Sequence, residues 1–469
     1  MTQILNNFPE NSHQCATVVD ILRDRSFRTP YKQAFTFLED GETQELTLTY
    51  HELDRRSRVV AAQLQALGLS GERAILLYPP GLDYLTAFFG CLYAGIVAVP
   101  AYPPRNQRNT PRIQAIIKDA QAAIILTTTT IFPTIQSLLE KESSQGNLRW
   151  LTTDDLPQGI EDSWEERAII AQTLAFLQYT SGSTGTPKGV MLNHGNLLHN
   201  AAVTYQVMEH SPESQFISWL PVYHDMGLIG GILQPLYGGF PCVLMSPTAF
   251  LQRPYRWLQA ISRYRGTTSG GPNFAYELCI QRITPEQRST LDLSSWSVAF
   301  NGAEPIRQET LERFSATFAE CGFCPEAFYP CYGMAEATLM VSGGVKKALP
   351  PCKTVAKSSL EKNCIVEASA DSDDIQTFVS CGQTVPQQRI AIAHPETLMS
   401  CHSHEVGEIW VSGPSIGQGY WNRPLETEQT FHAYLKDTGE GPFLRTGDLG
   451  FLHNGELFIT GRAKDLIIR

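Results

Sequence analysis

Between about residue 70 and residue 340 the chain repeats one pattern: a short apolar run of strand length, a turn, then a stretch with helical spacing. ERAILLY (72 to 78) reads as a buried strand, DYLTAFFGCLYAG as the helix after it, ended at Gly95, and IVAVPAY as a return to strand. AAIILTT, LAFLQYT, FISWLP, PCVLMSP and SVAFNG follow as further strands, with RPYRWLQAISRY and EPIRQETLERFSATFAE as helices between them. A strand that is apolar throughout must be covered on both faces, so the alternation predicts a layered α/β fold with mostly parallel sheets.

After about residue 345 the texture changes. RIAIAHP, GEIWVSG and GELFIT are short strands joined by glycine-rich turns, which predicts a smaller β-rich subdomain, a distorted barrel. The expected organisation is layered α/β subdomains over 1–345, a polar segment over 346–377 that reads as an insertion or mobile loop, the β-rich subdomain over 378–461, and a terminal segment over 462–469. Function is expected where the two textures meet.

Composition narrows the function classes. Lys plus Arg total 36 against 47 for Asp plus Glu, and a net charge of -11 argues against a nucleic-acid binder held by phosphate contacts. The eleven cysteines show no repeating spacing, and an odd count in a large chain suits a reducing cytoplasm better than a disulfide framework. Cys321 and Cys324 form a C-x-x-C without the second half that a zinc site needs. The first fourteen residues do not resemble a secretory signal. The most apolar stretch, Tyr84 to Tyr102, contains two glycines and runs into Pro103 and Pro104, so it reads as a core helix and strand rather than a membrane span.

Four motifs carry chemistry. YTSGSTGTPKGV, Tyr179 to Val190, lies between two apolar strands; its Ser, Thr and Gly residues offer N–H groups and hydroxyls to anionic oxygens, and Lys188 adds a point charge. A flexible linker of the same composition would not be framed by strands. It is not a Walker A loop either, because Pro187 and Gly189 stand where that motif needs Gly and a hydroxyl. NGAEP, Asn301 to Pro305, ends the strand SVAF where ligands bind in open α/β sheets, though alone it is also an ordinary strand-to-helix turn. YGMAEAT, Tyr332 to Thr338, sets a ring able to stack on adenine close to Glu336, a hard-oxygen ligand suited to magnesium; a core tyrosine with a surface glutamate would read the same. In RTGDLG, Asp448 can accept from both hydroxyls of a ribose or simply sit in a β-turn, and Arg462 of the later GRAKD is a natural second contact.

In this order, over most of the chain, the four motifs resemble the adenylate-forming superfamily of acyl-CoA synthetases, peptide-synthetase adenylation domains and luciferases. The resemblance implies that Thr180, Ser181, Gly182, Ser183 and Thr184 belong to the phosphate loop, with Lys188 as its catalytic cation. It implies that Gly302, Ala303, Glu304, Tyr332, Gly333, Met334 and Ala335 form the adenine side, that Glu336 is catalytic through Mg2+, and that Asp448 and Arg462 hold the ribose. ATP is the implied co-substrate. The run from Trp219 to Pro247, with RPYRWL and SGGPNFAYELC, is most similar to fatty acyl-AMP ligases. There His224, Asp225, Met226, Gly227, Ile229, Gly271 and Pro272 are the implied acyl contacts, with His224 near the reacting carboxylate. Composition alone also allows plain core packing and a satisfied core histidine at these positions.

The segment 346–377 lies where those ligases carry an insertion associated with use of an acyl carrier protein in place of coenzyme A. The implied partners are therefore a fatty acid and a holo carrier protein, with no nucleic acid, and the resemblance allows the carrier to be fused downstream in a polyketide or lipopeptide assembly line. The resemblance places a hinge at Lys464 and Asp465, followed by a small mobile domain that supplies a catalytic lysine. The chain stops at GRAKDLIIR, so the expectation is that this lysine is absent and adenylate forms slowly. A fatty acyl-CoA synthetase shares every nucleotide motif, and a non-catalytic acyl-nucleotide-binding module is the rival from another class. The intact Lys188, Glu336 and Asp448 speak against the latter.

Overall fold

The computed structural model describes residues 15–104, 106–140, 148–157, 159–180, 186–369 and 372–463. It is mixed α/β, with mostly parallel sheets where strands and helices alternate, as predicted, and antiparallel pairing in the later strands. The chain forms two compact units: Met1–Ala201, Trp219–Thr248 and Gly417–Pro424 make the first, and Ala202–Ser218, Ala249–Ile416 and Leu425–Arg469 the second.

In the first unit, β1 (Gln33–Leu38) pairs antiparallel with β2 (Glu45–Thr49). A six-stranded sheet follows from β3 (Arg73–Leu77), β4 (Val97–Ala101), β5 (Ile124–Thr127), β6 (Arg149–Thr152), β7 (Leu174–Thr180) and β8 (Lys188–Asn193), in the order β6-β5-β3-β4-β7-β8. All its pairs are parallel except β7 with β8. The helix Leu82–Ala94 is buried along almost its whole length. Tyr93 donates to Asp54 of the helix Tyr50–Ala66 at 2.6 Å, which satisfies a carboxylate that the packing encloses. This is core, as the proline-closed run predicts, and among the described residues no helix is long and apolar enough to cross a membrane. On the sheet, Ile113, Ile116, Ile117 and Ala120 of the helix Thr110–Ala120 recur at helical spacing and pack on Ile75, Val99 and Leu177.

The second unit begins its sheet with β9 (Phe216–Ser218), while β10 (Cys242–Met245) belongs to the first unit and pairs parallel with β1. Strands β11 (Thr268–Gly271), β12 (Val298–Asn301) and β13 (Phe328–Gly333) continue the parallel set. Trp257, Tyr276, Trp296, Phe314, Phe323 and Phe328 pack edge to face around them, with Trp257 and Trp296 5.4 Å apart and Tyr276 and Phe314 5.1 Å apart. From β14 (Met340–Gly343) onward the pairing is antiparallel.

The polar stretch after residue 345 is not an irregular loop. Within it β15 (Cys352–Ala356) pairs over five residues with β16 (Ile375–Val379). The strands escape a hydrophobic-pattern reading because one inward position of β15 is Lys353, beside Val355, and its partner carries the exposed polar Gln376 and Thr377 between Ile375 and Phe378. Then come β17 (Gln383–Thr384), β18 (Arg389–Ala393), β19 (Gly407–Ser412), β20 (Leu444–His453) and β21 (Glu456–Arg462). All eleven cysteines are free thiols.

Candidate active site

The glycine-rich motif runs from the end of β7 to the start of β8, which pair antiparallel in the first unit. Thr180 and Lys188 face each other across β7 and β8, and Tyr179 faces Gly189. Ser181, Gly182, Ser183 and Thr184 lie outside the described residues, but the strand ends that carry them are tightly framed. The Tyr179 hydroxyl donates to Asp119 at 2.7 Å, and Arg423 donates to the same carboxylate at 2.9 Å. Arg423 also reaches the Pro187 carbonyl at 3.5 Å, across 236 residues of sequence. Burial, with the Asp119 carboxylate accepting its proton, holds the Tyr179 hydroxyl far above its ordinary pKa, so it remains a donor. On the outer edge of β8, Gln418 and Trp421 donate backbone N–H groups to Met191 and Gly189, and Met191 donates to Gly419. Tyr420 from that segment puts its ring 4.9 Å from the Lys188 ammonium.

In the second unit three predicted residues converge. Tyr332, at the end of β13, donates to Asp448 at 2.7 Å, and Arg462 donates to the other carboxylate oxygen at 3.1 Å. Asp448 and Arg462 face each other across β20 and β21, so the aspartate lies in a strand and not in a β-turn. Burial raises the Asp448 pKa against the lowering effects of Tyr332 and Arg462. The Tyr332 hydroxyl is likewise held well above its ordinary value by burial and by the Asp448 charge.

After Tyr332, Gly333 and Met334 lead into a 3-10 turn, Ala335–Ala337, on which Glu336 is buried. Thr338 closes that turn at φ +68°, a conformation costly for a β-branched residue, and its hydroxyl donates to the Ser415 carbonyl at 2.6 Å. Gly302, Ala303 and Glu304 follow β12 directly; Ala303 also has positive φ, and the Glu304 carboxylate accepts the N–H of Phe274 in the first turn of the helix Asn273–Arg282. The Glu304 side chain is therefore engaged by a helix terminus, which leaves its backbone as the part able to meet a ligand.

The apolar run of the first unit holds an element that no periodicity argument anticipated: Met226–Leu233 is a π-helix. Gly227 is required in it, because a Cβ there would lie 2.1 Å from the Pro221 carbonyl oxygen. The preceding turn is anchored by Tyr84, which donates to Val222, and by Gln178, which donates to Tyr223. Gly227 and Ile229 are buried, while the side chain of His224 is about half exposed. Its Nδ1 lies 2.6 Å from Asp225, whose carboxylate also accepts the Met226 N–H. Burial lowers the His224 pKa, but the hydrogen bond and charge of Asp225 outweigh it and the net shift is upward. His224 is thus not a satisfied core histidine. Gly271 ends β11 and Pro272 opens the helix Asn273–Arg282 in the second unit. Lys464 and Asp465 lie outside the described residues.

A model of the AMP-binding enzyme family matches residues 22–421. The chain belongs to that family. It is 50% identical over 459 residues to the medium-chain-fatty-acid acyl-carrier-protein ligase JamA of Moorena producens (strain JHB), a match covering 97% of this chain and 78% of that protein. Identity to the corresponding ligase TtuA of Teredinibacter turnerae (strain ATCC 39867 / T7901) is 36% over 484 residues, covering 94% and 75%. A solved fatty acyl-adenylate ligase from L. pneumophila, in complex with acyl adenylate and pyrophosphate, superposes with a TM-score of 0.92 at 44% identity, covering 98% of this chain and 80% of that one.

In this AMP-binding enzyme the residues that sequence reasoning missed are the supports. Asp119, Arg423 and Tyr420 frame the glycine-rich hairpin, and Glu408 braces the strand of Asp448. Tyr179 stood inside the quoted motif, but its hydroxyl carried no local signal of its role. Glu336 supplies a buried oxygen donor, and among the described residues no group of three or more His, Cys, Asp or Glu side chains converges to cage a metal. Such a donor set fits Mg2+, an ion held by one or two carboxylates with the remaining ligands from phosphate and water.

Proposed function

We propose that this AMP-binding enzyme activates a fatty acid with ATP to the acyl-adenylate, releasing pyrophosphate, and passes the acyl group to the phosphopantetheine thiol of an acyl carrier protein. The observation that carries the nucleotide half is the Asp448 network. A carboxylate has about four lone-pair sites, and Tyr332 and Arg462 occupy one on each oxygen, leaving one on each for the two ribose hydroxyls. The acyl and carrier halves are supported by the 50% identity to JamA and by the likeness to the solved fatty acyl-adenylate ligase.

In the reaction a carboxylate oxygen of the fatty acid attacks the α-phosphorus, and the bond to the bridging oxygen of pyrophosphate breaks. The work of the protein is positioning and charge neutralisation. Thr180, Ser181, Gly182, Ser183 and Thr184, with Lys188, hold the departing phosphates. Glu336 would hold Mg2+, which would neutralise phosphate charge. Gly302, Ala303, Glu304, Tyr332, Gly333, Met334 and Ala335 flank the adenine, and Arg462 supports the ribose beside Asp448. His224 stands at the carboxylate end of an acyl site formed with Asp225, Met226, Gly227, Ile229, Gly271 and Pro272. The hydrogen bond and charge of Asp225 raise its pKa above the ordinary value, which favours the positive form beside the incoming carboxylate. The segment 346–377 is the insertion that disfavours coenzyme A, and Lys464 and Asp465 form a hinge. The setting is cytoplasmic, in the loading step of a polyketide or lipopeptide assembly line.

Incubation with ATP, Mg2+ and fatty acids of graded length, with either coenzyme A or a holo carrier protein, tests this by mass spectrometry of the products. Acyl-adenylate and acyl carrier protein are expected. Acyl-CoA as the main product would overturn the carrier half, and absence of fatty-acid-dependent pyrophosphate release would overturn the adenylation half.

A further inference from the structure

Asp448 stands on an irregularity of its strand. Across β19 and β20, Glu408 pairs with Leu449 and Trp410 with Arg445, so Ile409 alone faces Thr446, Gly447 and Asp448. Such a bulge re-aims a side chain, but it leaves backbone groups without ladder partners. Glu408 supplies what is missing. One oxygen of this buried carboxylate accepts the Gly447 N–H at 3.1 Å, and the other accepts from Arg445 at 2.7 and 3.0 Å. The Thr446 hydroxyl donates to the Ile409 carbonyl at 2.7 Å and accepts the Asp448 N–H at 3.1 Å, while Ala463 donates to the Gly447 carbonyl at 3.0 Å. Gly447 itself has φ +73°, the left-handed conformation that turns the chain at this point.

We propose that Glu408 is the positioning residue for Asp448: its carboxylate fixes the bulge on which the ribose-binding aspartate stands, and so sets discrimination for the ribose hydroxyls without touching the nucleotide. The proposal rests on the ribose role given to Asp448 above. A carboxylate is needed because both oxygens must accept; an amide in its place can serve Arg445 or the Gly447 N–H, but not both.

The test measures Kd for AMP and for 2′,3′-dideoxyadenosine monophosphate by calorimetry. The proteins are the wild type, Glu408→Gln, and the double variant Glu408→Met with Arg445→Met, which replaces the charge pair by an apolar one and so keeps the fold without a stranded charge. Wild type should prefer AMP by on the order of 10- to 100-fold, two charge-assisted hydrogen bonds being at stake. In both variants the preference should fall to within about threefold, with the dideoxy ligand bound within about twofold of wild type, since its contacts do not involve Asp448. A folded variant that keeps the wild-type preference overturns the proposal. Equal weakening of both ligands also overturns it, by showing a merely structural role. A wild type without preference would instead remove the ribose role of Asp448, and with it the premise.

Discussion

The glycine-rich hairpin of the first unit and the Asp448 network of the second are built on opposite plans. In the hairpin the predicted functional residues are held from outside: Asp119 and Arg423 grip Tyr179 and Pro187, and Tyr420 lies beside Lys188. In the Asp448 network the functional side chains hold one another, since Tyr332 and Arg462 both donate to Asp448. The first plan fixes backbone and leaves a cation to act; the second fixes the acting side chain itself. A change at the acting residue should therefore be clean in the first unit and entangled with its neighbours in the second.

The largest expected effect breaks or confirms that asymmetry at Lys188. Lys188→Met should lower kcat for fatty-acid-dependent pyrophosphate release by about 100- to 1000-fold, the scale of losing one electrostatic partner of a developing charge. The melting temperature should fall by only a few degrees, about 2–4 °C, because the side chain is only partly buried. A loss under tenfold would mean that the hairpin does not hold the departing phosphates.

Among the described residues the two units also contain one buried histidine each whose pKa burial lowers. In the first, His194 Nδ1 accepts the Val18 N–H at 3.2 Å, and burial lowers its pKa to about 4. In the second, His210 lies 3.2 Å from the Thr268 hydroxyl, and burial, helped by Lys346, lowers its pKa to about 3. Both folded values lie below the unfolded value near 6.5, so the unfolded chain takes up protons first as pH falls. Their contribution is complete above about pH 6.5 and is lost between there and about 4 for His194, and on to about 3 for His210, at a slope approaching about 1.4 kcal/mol per pH unit for each. Urea unfolding at pH 7 and pH 5 should show the lower stability at pH 5; equal stabilities would contradict both placements.

Much of this architecture was legible in the chain because it rests on local rules. The strands β3, β4, β5, β7 and β12 and the helix Leu82–Ala94 each carry a periodicity that only one layered arrangement buries. Tyr332, Asp448 and Arg462 were legible one at a time, as residue types suited to a nucleoside. Their mutual hydrogen bonds were not, because a bulge in β20 sets them. The supports were illegible for the same reason: Asp119 is one of several polar residues on an amphipathic helix, and Arg423 meets Pro187 only after 236 residues of intervening chain. The π-helix Met226–Leu233 defeats a 3.6-residue analysis by construction, and its sign in the sequence is a glycine whose Cβ has no room. Asp119→Asn probes that illegible layer. The amide still accepts from Tyr179 but no longer pairs with Arg423, so stability should fall by about 1–3 kcal/mol. KM for ATP should rise severalfold, and an unchanged KM beside a lowered melting temperature would show that main-chain pairing alone sets the hairpin.

The smallest expected effect concerns His224, a histidine whose shift runs the other way. Burial lowers the pKa of the enclosed His194 and His210, whereas a carboxylate 2.6 Å away raises that of the half-exposed His224. Environment, not residue type, separates a core histidine from one able to meet an anionic substrate. Asp225→Asn keeps an acceptor for the Met226 N–H while removing the charge, so the burial that already opposes protonation of His224 should then prevail. By histidine NMR titration the His224 pKa should drop from above its ordinary value to below it, with those of His194 and His210 unmoved. If His224 holds its charge in an active site, KM for the fatty acid should rise at neutral pH in this variant and recover toward wild type as the pH is lowered, whereas a pH-independent KM would leave the carboxylate of the substrate with some other partner.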